Sequence, residues 1–321
     1  MVNWIKPLTS KTQVNKAGER IRAGTYTDDD LHIVENWRAS HAYVMNTFQA
    51  NLRRRSLGKN ITVAQRLKRR RTIFDKLQRE PGMKLARMHD IAGFRLIFDD
   101  EAELVSFRTD FHTSRMRHKL CNGANDRYNY IERPKISGYR GIHDVFEYDV
   151  SSQTGVTWNG HLIEIQYRTK CQHAWATAVE IADFTTSSRI KFSEANQEFE
   201  DFFRYASEII VRAFEDRKSC FPQLPNYEIV DKFHWLDRKL GLMRRFEGLA
   251  RFGQVSSIRQ HFKKNTILHF TFDPNGLATT LQIESSFQSV NKALARYEEL
   301  EKDIDENTDV VLVQADSQES I

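Results

Sequence analysis

Hydrophobic and polar residues alternate most regularly in residues 161–169, HLIEIQYRT. Successive side chains of a strand point to opposite faces, so Leu162, Glu164, Gln166 and Arg168 share one face and Ile163, Ile165 and Tyr167 the other. The second face is apolar and reads as core. The first carries a carboxylate, an amide and a guanidinium in a row, which suits the lining of a site. Residues 90–98 (DIAGFRLIF) read as another strand, rich in strand formers and ended by a turn at Asp99 and Asp100. Strands are also expected over residues 128–133 and 145–150, with residues 151–160 as a hairpin loop, and a short strand over 61–69 leads into a helix through Leu77.

Helical spacing dominates elsewhere. Ile33, Trp37, Val44, Phe48 and Leu52 recur on one face of a helix expected to begin near Leu31, with Asp28, Asp29 and Asp30 favouring its first turn. Residues 1–27 read as an irregular arm. Further helices are expected over 101–116, 170–184, 194–217 and 226–262, the last with breaks near Gly248 and Gly253. A small β-β-α-β unit follows, with strands at 267–272 and 279–284, a turn at Pro274, Asn275 and Gly276, a helix over 287–302 and a strand over 310–314. Asp316 and Ser317 resemble a cap for one more helix, so the final module reads as truncated. This pattern predicts an α+β fold around a mixed β-sheet flanked by helices. The expected divisions are a helical arm (1–59), a main domain (60–222) and a helical extension with the small module (223–321), parted near Pro222 and Pro225.

Composition narrows the class. The chain has 321 residues, 40% hydrophobic and 28% charged, the balance of a globular protein with a sizeable core. Its first residues lack the apolar centre of a secretory signal, and no run approaches the ~20 apolar residues of a membrane helix. Three cysteines without paired spacing suggest a reduced, cytoplasmic protein rather than a disulfide or zinc framework. The net charge is +5, but its distribution is more informative: Arg53, Arg54, Arg55, Lys59, Arg66, Lys68, Arg69, Arg70 and Arg71 occur with no acid among them. Such a block suits a polyanion, whether nucleotide phosphates or nucleic acid.

Three clusters carry candidate chemistry. Arg66, Lys68, Thr72 and Lys76 form the first, with four-residue steps that would place Lys68, Thr72 and Lys76 on one helix face. Two ammonium groups side by side repel unless an anion lies between them, and a triphosphate is one such anion. The second is Asp90, Gly93 and Arg95. A carboxylate opening an apolar strand is a cap or a ligand for Mg²⁺, and a bulge at Gly93 would re-aim Arg95. The third joins Lys135, Tyr139, Arg140 and His143, which can meet phosphates and offer a ring to a base, to Glu164, placed to hold an acceptor hydroxyl or take its proton. Glu164 stands beside Gln166 and Arg168.

The stretches RLKRRRTIFDKL, HDIAGFRLIF, PKISGYRGIH and EIQYRTKCQHAWA resemble, in order and spacing, the synthetase motifs of the RelA/SpoT family of (p)ppGpp synthetases, over about residues 60–180. The resemblance implies a nucleotidyltransferase-like sheet and transfer of the β,γ-pyrophosphate of ATP to the 3′-hydroxyl of GTP or GDP. It further implies Asp90 as the Mg²⁺ ligand with Glu164 as the second carboxylate, which activates the acceptor hydroxyl. Arg66 and Arg95 would sandwich adenine, Lys68 and Lys76 would face the ATP phosphates, and Tyr139 would stack on guanine with Lys135 and His143 near the acceptor phosphates. Only about sixty residues precede the first motif, against well over a hundred in the hydrolase domain of long members, so a small, synthetase-only member is expected. His89–Asp90 and His143–Asp144 fall inside synthetase motifs and do not mark a hydrolase metal site. Two alternatives stand beside this reading: a toxin-like member that modifies the 3′ end of tRNA, with Arg53–Arg55 and Lys59 as a phosphodiester track, and a non-catalytic nucleotide sensor. A homo-oligomer, or self-regulation through the C-terminal extension, is the expected assembly.

Overall fold

The computed structural model describes residues 4–114, 116, 118–123, 125–185, 197–215, 217, 219–244, 246, 265–272, 278–302 and 308–314. The N-terminal arm is a helix, not irregular chain. Ser10 and Gln13 form a reciprocal capping box that starts α1 (Lys11–Ala23), and Gly24, at φ 69°, ends it. The next helix, α2 (Asp28–Ser56), begins three residues earlier than expected because Thr27 is its cap and Asp30 closes the box. Arg20 Nε reaches Asp30 Oδ2 at 2.7 Å and joins the two helices, while Arg22 Nε donates to the Leu77 carbonyl at 2.8 Å and ties α1 to α3 (Arg70–Arg79).

The strands are β1 (Thr62–Leu67), β2 (Ala92–Phe98), β3 (Lys119–Leu120), β4 (Ile142–Glu147) and β5 (Leu162–Thr169), with α4 (Glu101–His112) after β2. β1 runs antiparallel to β2, β2 parallel to β5, and β5 antiparallel to β4, so the sheet is mixed as the alternation predicted. One expected strand is absent. Residues 128–133 form turns with a single bridge from Asn129 to Ile142, because the Asn129 side chain accepts from the Ile131 and Glu132 backbone N–H groups.

The apolar sheet face is core. Phe94, Leu96, Phe98, Ile163, Ile165 and Tyr167 pack with Phe48 and Leu52 of α2 and Phe107 and Phe111 of α4; each such side chain contributes about 1.5–3 kcal/mol by leaving water. Asp144 points into this side and is fully buried. Its charge is met by Arg108 Nη2 at 2.7 Å and His112 Nε2 at 2.6 Å.

Three more helices, α5 (Lys170–Thr185), α6 (Gln197–Ile210) and α7 (Asn226–Leu240), form a second apolar cluster through Trp175, Phe202, Phe203 and Leu236. A π-helical turn, Val211–Glu215, follows α6. α7 stops at Gly241, φ 65°, and the expected breaks at Gly248 and Gly253 lie outside the described residues. The small module is present as β6 (Asn265–Phe272), β7 (Ala278–Phe287), α8 (Val290–Lys302) and β8 (Thr308–Gln314); its expected turn at 274–276 and the cap at 316–317 lie outside the described residues. Its strands extend the main sheet, in the order β3-β4-β5-β2-β1-β8-β6-β7, through Gln65 opposite Gln314. Among the described residues no helix is long and apolar enough to cross a membrane.

Candidate active site

Register alone collects the polar side chains. Arg66 stands opposite Gly93, Gly93 opposite Glu164, and Glu164 opposite Val145. One row on, Arg95 stands opposite Gln166 and Gln166 opposite His143; in the next, Ile97 faces Arg168. Paired residues share a sheet face, so Arg66, Arg95, His143, Glu164, Gln166 and Arg168 all lie on the face away from the core. The register of β2 is unbroken, so the expected Gly93 bulge is absent. Asp90 lies before β2 rather than in it, and strand parity therefore never separated it from Arg95.

Asp90 is held by two lysines. Lys68 Nζ meets Oδ2 at 3.0 Å and Lys76 Nζ meets Oδ1 at 3.1 Å. The anion between the two ammonium groups is thus a carboxylate of the chain itself. The helix-face argument holds only for Thr72 and Lys76, one turn apart on α3, since Lys68 precedes that helix. Lys68 arrives by backbone pairing: its N–H donates to the Ile91 carbonyl at 2.7 Å, and its carbonyl accepts from Arg38 Nε at 2.7 Å. Burial pushes the Lys68 ammonium below its usual range. Burial would raise the Asp90 carboxyl, but the two lysines outweigh it and hold Asp90 low.

Glu164, 5% exposed, is the other acid. His143 Nδ1 stands 3.0 Å from Oε1, His89 Nε2 stands 3.4 Å from the same oxygen, and Gln166 Nε2 donates to Oε2 at 2.7 Å. Burial opposes ionisation, yet His143 and His89 hold the carboxyl well below the usual carboxylate range. Tyr139 completes this side, its hydroxyl 2.5 Å from His143 Nε2 and bonded by Arg168. Two glycines fix its loop. A Cβ on Gly138, φ 88°, would lie 2.9 Å from Ser207 Cβ, and one on Gly141, φ 144°, 3.2 Å from the Tyr139 hydroxyl. Lys135 Nζ and Arg168 Cζ stand 5.1 and 5.2 Å from the centroid of the Tyr139 ring, close to where a stacked base would lie.

Arg95 titrates near 10, lowered by burial and by Arg168, with Arg66 adding and Glu180 opposing. Glu180 Oε1, on α5, stands 3.9 Å from Arg95 Nη2. Arg66, Arg95 and Arg168, three guanidinium groups on one sheet face, favour an anionic ligand.

The structure therefore brings together Lys68, Lys76, Asp90 and, across the same face, Arg66, Arg95, Lys135, Tyr139, His143, Glu164, Gln166 and Arg168. It does not bring Arg140 with them: that side chain is buried on the Ile131 carbonyl and Cys220 Sγ, the other way from Tyr139. Nor do Arg55 and Lys59 form a track beside the site. They cover the Phe111 and Phe107 rings of α4, on the core side of the sheet. Sequence reasoning missed His89, Glu180 and His173, whose imidazole is lowered to about 4 by burial and the nearby Arg95 and Arg168. The adjacency of His89 to Asp90 was a usable signal, whereas the other two reach the site only through the packing of α5.

Among the described residues no group of three or more His, Cys, Asp or Glu side chains is arranged to hold a metal. A hard cation such as Mg²⁺ takes one or two carboxylates and completes its shell with water and phosphate oxygens, and Asp90 and Glu164 would supply that number here.

A family model described as "Region found in RelA / SpoT proteins" matches residues 65–184. The chain is 31% identical over 137 residues to the GTP pyrophosphokinase YjbM of Bacillus subtilis (strain 168), covering 40% of this chain and 58% of that one. It is 34% identical over 95 residues to a probable chloroplastic GTP diphosphokinase, RSH3, of Oryza sativa subsp. japonica, covering 29% of this chain and 11% of that one. The crystal structure of small alarmone synthetase 2 from Bacillus subtilis aligns with a TM-score of 0.45 at 22% identity, over 57% of this chain and 94% of that one. The chain thus spans little more than half of one curated relative and a ninth of the other. The match over residues 65–184 takes in both the Asp90 and the Glu164 clusters.

Proposed function

We propose that the chain transfers the β,γ-pyrophosphate of ATP to the 3′-hydroxyl of GTP or GDP, releasing AMP. The observation that carries this reading is the placement of Glu164, with both oxygens fixed by His143 and Gln166, on the sheet face it shares with Arg66 and Arg95, near the Asp90 carboxylate clamped by Lys68 and Lys76. Lys68 and Lys76 turn from Asp90 to the ATP phosphates, and Arg66 and Arg95 hold the adenine end. Tyr139 and Lys135 hold the acceptor. Mg²⁺, when bound, would be held by Asp90 with Glu164 as its second carboxylate and would neutralise phosphate charge.

Glu164 is ionised at neutral pH, so it accepts a hydrogen bond from the acceptor hydroxyl and aims its oxygen at the β-phosphorus. Its main contribution is orientation, and the hydroxyl proton passes to this carboxylate late, as the oxygen–phosphorus bond forms. The oxygen–phosphorus bond forms at the β-phosphate as the bond to the AMP oxygen breaks, and the basic cluster offsets the charge that develops there. Glu164→Gln tests this reading. AMP formation is expected to vanish while ATP still binds; full activity in that variant contradicts it.

A further inference from the structure

Five side chains close a ring of hydrogen bonds through Glu164. Gln166 Nε2 lies 2.7 Å from Glu164 Oε2, and Arg168 Nη2 lies 3.1 Å from Gln166 Oε1. Arg168 Nε and Nη2 reach the Tyr139 hydroxyl at 3.3 and 3.1 Å. The Tyr139 hydroxyl lies 2.5 Å from His143 Nε2, and His143 Nδ1 lies 3.0 Å from Glu164 Oε1.

The sense of each bond follows from the two ends of the ring. A guanidinium only donates and an ionised carboxylate only accepts. Gln166 therefore turns its carbonyl to Arg168 and its amide N–H to Glu164. His143 carries a hydrogen on Nδ1, directed at Glu164. The Tyr139 oxygen accepts from Arg168, and its own hydrogen finds an acceptor in His143 Nε2. With hydrogen on Nδ1 alone, each contact in the ring has one donor and one acceptor. If Nε2 were also protonated, the Tyr139 hydrogen would lose that acceptor.

We infer that Tyr139, through its hydroxyl as well as its ring, is a positioning residue for Glu164. It fixes the Nδ1–H tautomer of His143 and so the orientation of the carboxylate that receives the acceptor hydroxyl. This rests on the reading of Glu164 proposed above. The side chain offered to the acceptor base is then one hydrogen-bonded imidazole away from the reacting carboxylate. An acceptor that seats well on the ring holds Glu164 in place, and one that displaces the ring disturbs it. Arg168 anchors both arms. Without the hydroxyl, His143 Nε2 loses its donor and the ring can present a lone pair to Glu164 instead of a hydrogen.

Tyr139→Phe keeps the ring and removes only the hydroxyl. With a guanosine nucleotide as acceptor, the acceptor KM is expected to stay within about twofold while kcat falls on the order of a hundredfold, as for a misoriented group. Wild-type kcat in Tyr139→Phe, or a change confined to KM, overturns the inference. ¹⁵N NMR of the imidazoles, with His143 assigned by its loss in His143→Asn, reads the tautomer whether or not any transfer occurs. The wild type is expected to show Nδ1–H at His143, and Nε2–H there overturns the inference. A wild type with the Nδ1–H tautomer but no transfer to any acceptor would instead sink the pyrophosphotransfer reading and leave the ring standing.

Discussion

Gly93 and Glu164 are paired across the parallel β2–β5 ladder, and a methyl group between them would require a shift of a few tenths of an ångström. A Cβ on Gly93 would stand 3.1 Å from the Glu164 carbonyl oxygen and 3.8 Å from Glu164 Cβ. The carbonyl belongs to a central strand and cannot yield without moving β5. Gly93→Ala is therefore expected to cost about 1–3 kcal/mol in overpacking and to lower turnover more than tenfold, because the shift falls on Glu164. Urea unfolding beside an AMP-formation assay checks both. Unchanged turnover would show that β5 tolerates the displacement.

Asp90 plays two parts, as the partner of Lys68 and Lys76 and as the candidate metal ligand. Asp90→Asn leaves both ammonium groups without their anion. In the absence of Mg²⁺ this variant is expected to bind ATP at least as tightly as wild type, since the triphosphate no longer competes with a carboxylate, yet to form no AMP when Mg²⁺ is added. Calorimetric ATP titration with and without the cation distinguishes the two parts. Weaker metal-free binding would mean that Asp90 positions the lysines for phosphate rather than competing for them.

Much of the site was legible in the alternation of HLIEIQYRT, because a period of two admits only one division into faces. What was not legible came from contacts the local pattern does not encode. Asp90 was assigned to the strand that follows it, which put Arg95 on the wrong face until the register showed Asp90 in the preceding loop. The Lys68–Asp90–Lys76 cluster joins three segments, so the anion between the lysines could be named by type but not by residue. Arg140, beside Tyr139 in sequence, turns into the interior toward Cys220. The first helix has a local signal too: Ser10 with Gln13 is a capping box, and Val14, Ala17, Gly18 and Ile21 follow at helical spacing, a stripe weakened by its small residues.

Acid should reveal the junction of the first two helices. The Arg20 hydrogen bond, with help from Thr27, lowers Asp30 from 3.8 to about 2. A carboxyl lowered on folding stabilises the fold above its unfolded pKa, and that contribution fades as pH falls through the folded value. Asp30→Asn is expected to lower stability at neutral pH and to flatten its decline between about pH 4 and pH 2. Thermal unfolding across that range is the measurement. An unaltered slope would remove Asp30 from the account.

Besides the β1–β8 pairing, the C-terminal module reaches Lys68 through a buried contact on Arg38. Tyr297, 1% exposed on α8, covers the Arg38 guanidinium at 5.3 Å, and Arg38 holds the Lys68 carbonyl. Tyr297→Ala is expected to cost about 3–5 kcal/mol where the module meets the sheet, to expose residues 265–314 to protease and to weaken ATP binding through Lys68. Limited proteolysis with an ATP titration follows both effects. Unchanged ATP affinity in a variant whose module is readily cleaved would sever the link.

The central claim is tested most directly by following label from ATP. Purified protein is incubated with Mg²⁺ and ATP labelled in its β- and γ-phosphates, with GTP or GDP as acceptor, and the products are separated. The expected result is AMP and a guanosine nucleotide carrying both labels in equal amounts, with neither product from Glu164→Gln. Label recovered only as inorganic phosphate, or transfer that persists in Glu164→Gln, would contradict it.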